Sequence, residues 1–319
     1  MSTLGTRIGL IVVFCTSAAT AQSIKADHTT LDVDVIPSSA LDAARALHMS
    51  LDHASVGGNI LDGMNDLASA DASRYAFPNW YWHERGNPGW QPKVDQFTDW
   101  VTAHQSEYDV MQMKFCFIDD DANFTYYRDA MLALETAHPT KQFVWWTMPI
   151  ETSGNQNRDA FNSAVRSYAQ ANDKPLYDIA AIESHDASGA PRTEGGFEAM
   201  VEAYSSDGGH LNATGRLRAA KGMWWMMARL GGWDPGGGGT GGTGGSSSGG
   251  GSSLGGTSSG GTSAGGASSG GTSAAGSSGG PASSSGDDSG CNVGGHGAPS
   301  PWLAALTLLG AAALGRRRS

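Results

Sequence analysis

Hydrophobic residues between Gln22 and Asp234 fall into two alternating patterns. Short runs that are apolar throughout are typical of buried strands, whereas longer stretches with apolar residues three or four positions apart are typical of helices with one buried face. The predicted strands are His48–Leu51, Val110–Ile118, Gln142–Ile150 and Leu176–Ile182. The predicted helices are one that starts near Asn59, then Pro92–Gln105, Phe124–Ala137, Arg158–Ala171 and Asn212–Leu230.

Strands that alternate with helices predict an α/β fold with a mostly parallel sheet, because each parallel connection must cross over a face of the sheet. In such folds the reactive groups lie on loops beyond the carboxyl ends of the strands. Candidate chemistry is therefore expected in the loops that follow the predicted strands.

Composition separates this domain from a second kind of segment. Of the 46 glycines, 24 lie between Gly236 and Gly290, and the remainder of that stretch is almost entirely Ser, Thr and Ala. A segment with so little apolar surface cannot offset its own ordering entropy, so residues 235–290 are predicted to be a disordered linker. Residues 22–234 remain as one domain that is large enough to bury a core.

Charge and cysteine content narrow the function classes. Residues 22–234 contain 16 basic and 29 acidic side chains, a net charge of −13, which disfavours binding to nucleic acid or to anionic membrane surfaces. Of the three cysteines, only Cys116 lies in this domain, so the sequence predicts no disulfide within it.

The first 21 residues have the features of a secretory signal peptide. Arg7 precedes an apolar run from Ile8 to Phe14, and the segment ends in Ala19-Thr20-Ala21, a small-x-small cleavage pattern. We therefore expect export and cleavage near Gln22. The alternative is a short buried helix.

The last 29 residues combine Cys291, an apolar run from Trp302 to Leu314 and three arginines at 316–318. The run is shorter than the roughly 18 residues expected of a spanning helix, although the arginines define a cytoplasmic end. This combination resembles the MYXO-CTERM sorting tail of myxobacterial surface proteins. The resemblance implies removal of the tail by a sorting protease that acts near Cys291 and attachment of the protein at the cell surface. The alternative is a permanent membrane anchor.

A serine follows the first predicted strand, in the segment His53-Ala54-Ser55-Val56-Gly57-Gly58-Asn59-Ile60. A serine on a tight strand-to-helix turn exposes its hydroxyl beside backbone N–H groups, which suits a nucleophile whose attack creates an oxyanion. A serine that caps a helix in a glycine-rich turn gives the same local sequence.

An aspartate and a histidine precede the last predicted helix, in Asp207-Gly208-Gly209-His210. At this spacing the aspartate can hold one ring nitrogen of the histidine while the other nitrogen faces a serine on a neighbouring loop. A helix-capping loop with solvated polar side chains is the alternative.

Taken together, these two segments resemble the SGNH (GDSL-like) hydrolase superfamily. The similarity runs from about Leu51 to Leu230. It includes Gly86-Asn87-Pro88, Lys114-Phe115-Cys116-Phe117-Ile118-Asp119, Thr147-Met148-Pro149-Ile150, Asn157-Arg158 with Phe161-Asn162, and Asp178-Ile179-Ala180-Ala181-Ile182-Glu183-Ser184.

The resemblance implies a flavodoxin-like three-layer α/β/α sandwich and ester hydrolysis without a metal or other cofactor. It assigns Ser55 as the nucleophile, His210 as the general base and Asp207 as the group that orients the histidine. The backbone N–H groups of Val56 and Gly86 are the implied oxyanion donors.

The chain departs from the family pattern in two places. His53-Ala54-Ser55 replaces the usual Gly-Asp-Ser, and the Gly-x-Asn-Asp block that supplies an oxyanion asparagine is missing. Asn123 is the neutral amide nearest that place, so it is the candidate third donor. The loss of one such donor costs about 3–4 kcal/mol in the transition state.

Aromatic residues in a loop around residues 80–90 provide candidate substrate contacts. Trp82 and Trp90 could form a stacking platform for a sugar ring, or they could be buried anchors of the loop. His53, His210 and Asp207 lack the close spacing of metal ligands, so no metal site is predicted.

The sequence thus predicts an exported, surface-tethered serine esterase that acts on a small-molecule or glycan ester, with acylated carbohydrate preferred. The alternatives are a non-catalytic module that binds glycans or a protein partner through the same cleft, and a structural surface protein.

Overall fold

The computed structural model describes residues 23–236. Their strands are β1 (Lys25–Ala26), β2 (Met49–His53), β3 (Trp80–Glu84), β4 (Val110–Met113), β5 (Gln142–Trp146), β6 (Leu176–Tyr177), β7 (Thr193–Glu194) and β8 (Phe197–Glu198). Their helices are α1 (Ser38–Ala46), α2 (Val56–Ala70), α3 (Ala72–Tyr75), α4 (Trp90–His104), α5 (Phe124–Ala137), α6 (Gln156–Ala171), α7 (Ile179–Ser184) and α8 (Ala213–Leu230).

Six of the strands form one sheet in the order β1-β6-β5-β4-β2-β3, and every neighbouring pair is parallel. Strand β2 lies inside the sheet, where Asp52 pairs with His83 of β3 on one side and with Met113 of β4 on the other. The loop that follows β2 is therefore flanked by the loops that follow β3 and β4.

Alternation along the strands divides the core into two layers, one on each face of the sheet. In β5, Val144 and Trp146 pack with the apolar sides of α1, α2 and α8, whereas Phe143 and Trp145 pack with those of α4, α5 and α6. Successive side chains of a strand point to opposite faces, so helices cover both sides of this sheet. The predicted α/β fold with a mostly parallel sheet is confirmed.

The predicted helices agree well with the structure because their amphipathic periods are long and their caps are recognisable. Helix α5 spans Phe124–Ala137, as predicted, and α8 begins one residue after Asn212, whose side chain accepts hydrogen bonds from the N–H groups of Thr214 and Gly215. Such a cap satisfies two of the donors that a helix start leaves unpaired.

The predicted strands Val110–Ile118 and Gln142–Ile150 are shorter in the structure and end at Met113 and Trp146. Two further predictions about local structure were wrong. The run Leu176–Ile182 is a strand only to Tyr177, because Asp178 then caps α7 by accepting from the N–H of Ala181. The aromatic segment around Trp80 was expected to be a loop but contains β3, a five-residue edge strand with aromatic side chains that favour pleated structure.

Several predictions concern residues outside the part of the chain that the structure describes. These are the signal peptide at 1–21, nearly all of the linker, and the tail with Cys291. Within residues 23–236, no helix is both long enough and apolar enough to cross a membrane.

Candidate functional site

Ser55 lies at the carboxyl end of β2, where the chain turns sharply into α2. Its backbone has φ 55° and ψ −113°, and it is one of only two residues other than glycine with positive φ among residues 23–236. A serine in this region of φ/ψ space is strained by about 1–3 kcal/mol, so the surrounding structure must hold it there. The turn therefore has the strained strand-to-helix geometry that presents a side chain at the carboxyl end of a sheet.

The hydroxyl of Ser55 contacts a histidine that is 155 residues away in the chain. Ser55 occupies the N-cap position of α2, yet its side chain makes no capping hydrogen bond. Its Oγ lies 2.7 Å from Nε2 of His210 instead. Helix capping, the alternative interpretation of this serine, thus does not describe what its side chain does.

Asp207 binds the other side of the His210 ring. Its Oδ2 lies 2.7 Å from Nδ1 of His210, and its Oδ1 accepts hydrogen bonds from the backbone N–H groups of Gly209 and His210 at 2.9 and 2.8 Å. Burial acts to raise the pKa of the Asp207 carboxyl, but these donors outweigh it and hold that pKa below its usual value.

The ionised carboxylate fixes the roles of the two ring nitrogens. A carboxylate only accepts hydrogen bonds, so Nδ1 of His210 carries the proton that Asp207 accepts. In the neutral imidazole Nε2 then accepts from the Ser55 hydroxyl. This order of donors is the one that a histidine needs to act as a base toward serine.

Neighbouring loops hold the segment that carries His210. The Thr152 N–H donates to the carbonyl of Gly208 at 2.9 Å, and the Phe117 ring meets the His210 ring edge-on with centroids 5.2 Å apart. A Cβ on Gly209 would come within 2.7 Å of the Phe117 ring. A side chain at position 209 would therefore require either this loop or the Phe117 ring to shift.

The three predicted oxyanion residues lie at three different places in the structure. Val56 is the first residue of α2, so its N–H belongs to the unpaired donors at a helix start. Gly86 follows β3, two residues after the partner of His53, and has φ 76°. Asn123 caps α5, and its side chain accepts from the N–H of Tyr126 at 3.0 Å.

The structure also separates the two predicted aromatic contacts. Trp82 is half-buried and packs edge-on against the His53 ring with centroids 5.7 Å apart. Trp90 instead lines a cavity of about 930 Å³ between α4 and α5, together with Asn123 and Tyr126. Neither Ser55 nor His210 belongs to the wall of that cavity.

A buried polar cluster, which the sequence did not reveal, lies beside the Ser55 turn. Asp52 is fully buried, with Nδ1 of His83 at 2.5 Å and Nε of Arg85 at 3.4 Å. Arg85 also donates to the carbonyl of Lys114. Burial raises the pKa of Asp52 and lowers the pKa values of Arg85 and Lys114, so each of these groups is less readily charged than usual.

His53 belongs to the same region but does not behave as a charged group. Burial lowers its pKa to about 3, and the positive charges of Lys114, Arg85 and His83 act in the same direction. His53 is therefore neutral at physiological pH. Among residues 23–236, no group of three or more His, Cys, Asp or Glu side chains could hold a metal ion.

Comparison with known proteins gives weak similarities only. No family model and no curated protein matches the chain. A carbohydrate esterase family 3 structure from Talaromyces cellulolyticus has 14% identity and a TM-score of 0.39 over 57% of this chain and 95% of its own. A structure described as a lipolytic protein of the G-D-S-L family from Desulfitobacterium hafniense has 10% identity and a TM-score of 0.41 over 56% and 99%. Similarities of this size do not establish a shared family or function.

Proposed function

We propose that this protein is a serine hydrolase that cleaves ester bonds through Ser55, His210 and Asp207. One observation carries the proposal: the Ser55 hydroxyl makes no capping hydrogen bond to α2 and lies 2.7 Å from Nε2 of His210. A serine next to a histidine whose far nitrogen is held by a carboxylate is the arrangement that nucleophilic catalysis requires.

In the proposed reaction Ser55 Oγ attacks the ester carbonyl carbon while Nε2 of His210 takes the hydroxyl proton. The ionised Asp207 stabilises the imidazolium that forms. Collapse of the tetrahedral intermediate breaks the bond to the alkoxy oxygen, which leaves as an alcohol with the proton from His210. Water then attacks the acyl-serine with His210 again as the base, and releases the acid and the free serine.

The oxyanion of the tetrahedral intermediate is proposed to bind the N–H groups of Val56 and Gly86. Val56 is suited to this role because the positive end of the α2 dipole favours negative charge at that point. Gly86 is suited because the pairing of β2 with β3 continues past Glu84 through a hydrogen bond from Arg85 N–H to the His53 carbonyl at 3.1 Å. Asn123 is left out of this proposal because its amide oxygen caps α5.

The proposed substrate is an acylated carbohydrate that the enzyme meets outside the cell. This proposal depends on the signal-peptide pattern at 1–21 and on the sorting-tail resemblance around Cys291, which together favour export and surface attachment by a sorting protease. The net charge of −13 in residues 22–234 also disfavours anionic polymers as substrates.

Fluorophosphonate labelling of the full chain, followed by intact mass measurement, tests the mechanism directly. We expect one adduct on the wild type and none on Ser55→Ala or His210→Ala. An adduct that survives in His210→Ala would contradict the role given to the histidine. A folded wild type without any adduct would overturn the esterase proposal in favour of a non-catalytic binding module.

A further inference from the structure

Ser55 and His210 lie on two different segments of the chain. Ser55 is the N-cap residue of α2, whereas His210 lies in the loop between Ser205 and Leu211, which pair in an isolated bridge. Hydrogen bonds inside this loop, such as those to Asp207, fix its shape. They do not fix its position relative to α2.

Asn59 joins the two segments through a single side chain. It lies one turn after Ser55 on α2, and its own N–H donates to the Ser55 carbonyl at 3.3 Å. Its side-chain Oδ1 accepts the N–H of Leu211, the residue immediately after His210, at 3.1 Å. Asn59 thus joins the first turn of α2 to the segment that carries His210.

This hydrogen bond is placed where a small shift would alter the reacting geometry. It links a side chain four residues after Ser55 to the backbone N–H of the residue that follows His210. Displacement of a catalytic group by about 1 Å can slow a reaction about 100-fold, even when substrate binding is unchanged. The bond also satisfies the N–H of Leu211, a residue that is only 5% exposed.

We propose that Asn59 is a positioning residue that sets the distance between Ser55 and His210 by accepting the Leu211 N–H. The inference rests on the proposed function of Ser55 and His210. In this role Asn59 touches neither the substrate nor the reacting atoms. Its effect must therefore depend on the hydrogen-bond acceptor at position 59.

Three variants of the full chain separate this role from simple stabilisation. Asn59→Leu keeps a similar size and removes the acceptor, Asn59→Asp keeps an acceptor oxygen, and Asn65→Leu is a control at an exposed position of the same helix. The measurements are the rate of fluorophosphonate labelling, kcat and KM with p-nitrophenyl acetate, and Tm.

For Asn59→Leu we expect kcat and the labelling rate to fall about 10- to 100-fold, with KM within about 2-fold of wild type. Asn59→Asp should recover most of the rate because its carboxylate accepts the same N–H. Asn65→Leu should match the wild type. If Asn59→Leu lowers Tm enough to unfold the protein, Asn59→Ala is used in its place, because it removes the acceptor without adding bulk.

Two results would overturn the inference alone. The first is a reactive wild type whose folded Asn59→Leu variant reacts equally fast. The second is an Asn59→Asp variant as slow as Asn59→Leu, which would show that the acceptor is not what matters. A wild type that neither labels nor hydrolyses the ester would instead overturn the proposed function, and the inference with it.

Discussion

Two aspartate–histidine pairs lie near the carboxyl end of the sheet, and their surroundings differ sharply. Asp207 and His210 are 2.7 Å apart on a loop, and the Asp207 side chain is 56% exposed. Asp52 and His83 are 2.5 Å apart on neighbouring strands, and Asp52 is fully buried. The same two residue types therefore occur in two different environments at this end of the sheet.

The difference lies in what else each carboxylate and each imidazole contacts. Backbone N–H groups hold the pKa of Asp207 down, whereas burial raises the pKa of Asp52 despite the nearby Arg85 and His83. Nε2 of His210 contacts the Ser55 hydroxyl, whereas the His83 ring stacks on Trp100 with ring centroids 3.8 Å apart. The first pair has the geometry that the proposed proton transfer requires, whereas the second packs against an aromatic ring.

The largest expected effect separates the two histidines. His210→Ala removes the base, so kcat for an ester substrate should fall about 10⁴-fold or more. His83→Ala removes a stacking partner and should change kcat by less than about 10-fold. Steady-state kinetics with p-nitrophenyl acetate on both folded variants measures the contrast. Equal losses in the two variants would mean that the assignment of His210 is wrong.

The two aspartates provide the next comparison. Asp207→Asn keeps the shape but removes the charge that fixes the His210 tautomer, and kcat should fall on the order of 10³- to 10⁴-fold. Asp52→Asn leaves that histidine untouched and should lower kcat by less than about 10-fold. The same assay at a single pH above 7 measures both, with circular dichroism to verify folding. A larger loss in Asp52→Asn would shift the proposed base to the buried pair.

A smaller effect is expected from the packing that holds the His210 loop. Gly209→Ala brings a Cβ within 2.7 Å of the Phe117 ring. We expect the loop to shift away from the ring and kcat to fall about 10- to 100-fold. Gly89→Ala is the matched control, because nothing lies within 4 Å of the Cβ that it adds. An unchanged kcat in Gly209→Ala would show that Phe117 yields without moving His210.

These comparisons also show which parts of the molecule the sequence could predict. Long amphipathic periods identified the major helices, and local motifs brought Ser55, Asp207 and His210 forward as candidates. The run after Leu176 was ambiguous, because a short apolar run fits a buried helix as well as a strand. The hydrogen bond from the Ala181 N–H to the Asp178 side chain shows that α7 begins there.

The remaining site features depend on contacts between distant residues, which single-sequence patterns do not contain. Asn59 was visible in the first motif, yet its bond to Leu211 spans 152 residues. The sequence predicts Phe117 as one apolar residue of a strand, although its ring packs on His210. The neutral amide of Asn123 makes it a candidate oxyanion donor in the sequence, but its place at the start of α5 gives it a capping role.

The smallest expected effect concerns stability against pH, where the two aspartates should have slopes of opposite sign. The pKa of Asp207 is lower in the folded protein than in the unfolded chain. Its stabilising contribution is therefore complete above about pH 4 and is lost as the pH falls below that value. The pKa of Asp52 is higher in the folded protein, so its contribution is greatest below about pH 4 and declines as the pH rises toward the folded pKa.

Urea unfolding of the wild type, Asp207→Asn and Asp52→Asn between pH 3 and pH 7 measures both slopes. The difference in unfolding free energy between wild type and Asp207→Asn should shrink toward pH 3, because the unfolded chain binds a proton at Asp207 there while the folded protein keeps this carboxylate ionised. Relative to Asp52→Asn, the wild type should lose unfolding free energy as the pH rises, because an ionised Asp52 must remain buried. Parallel slopes in the two variants would show that the carboxylates share one environment. The electrostatic contrast between the two pairs would then be lost.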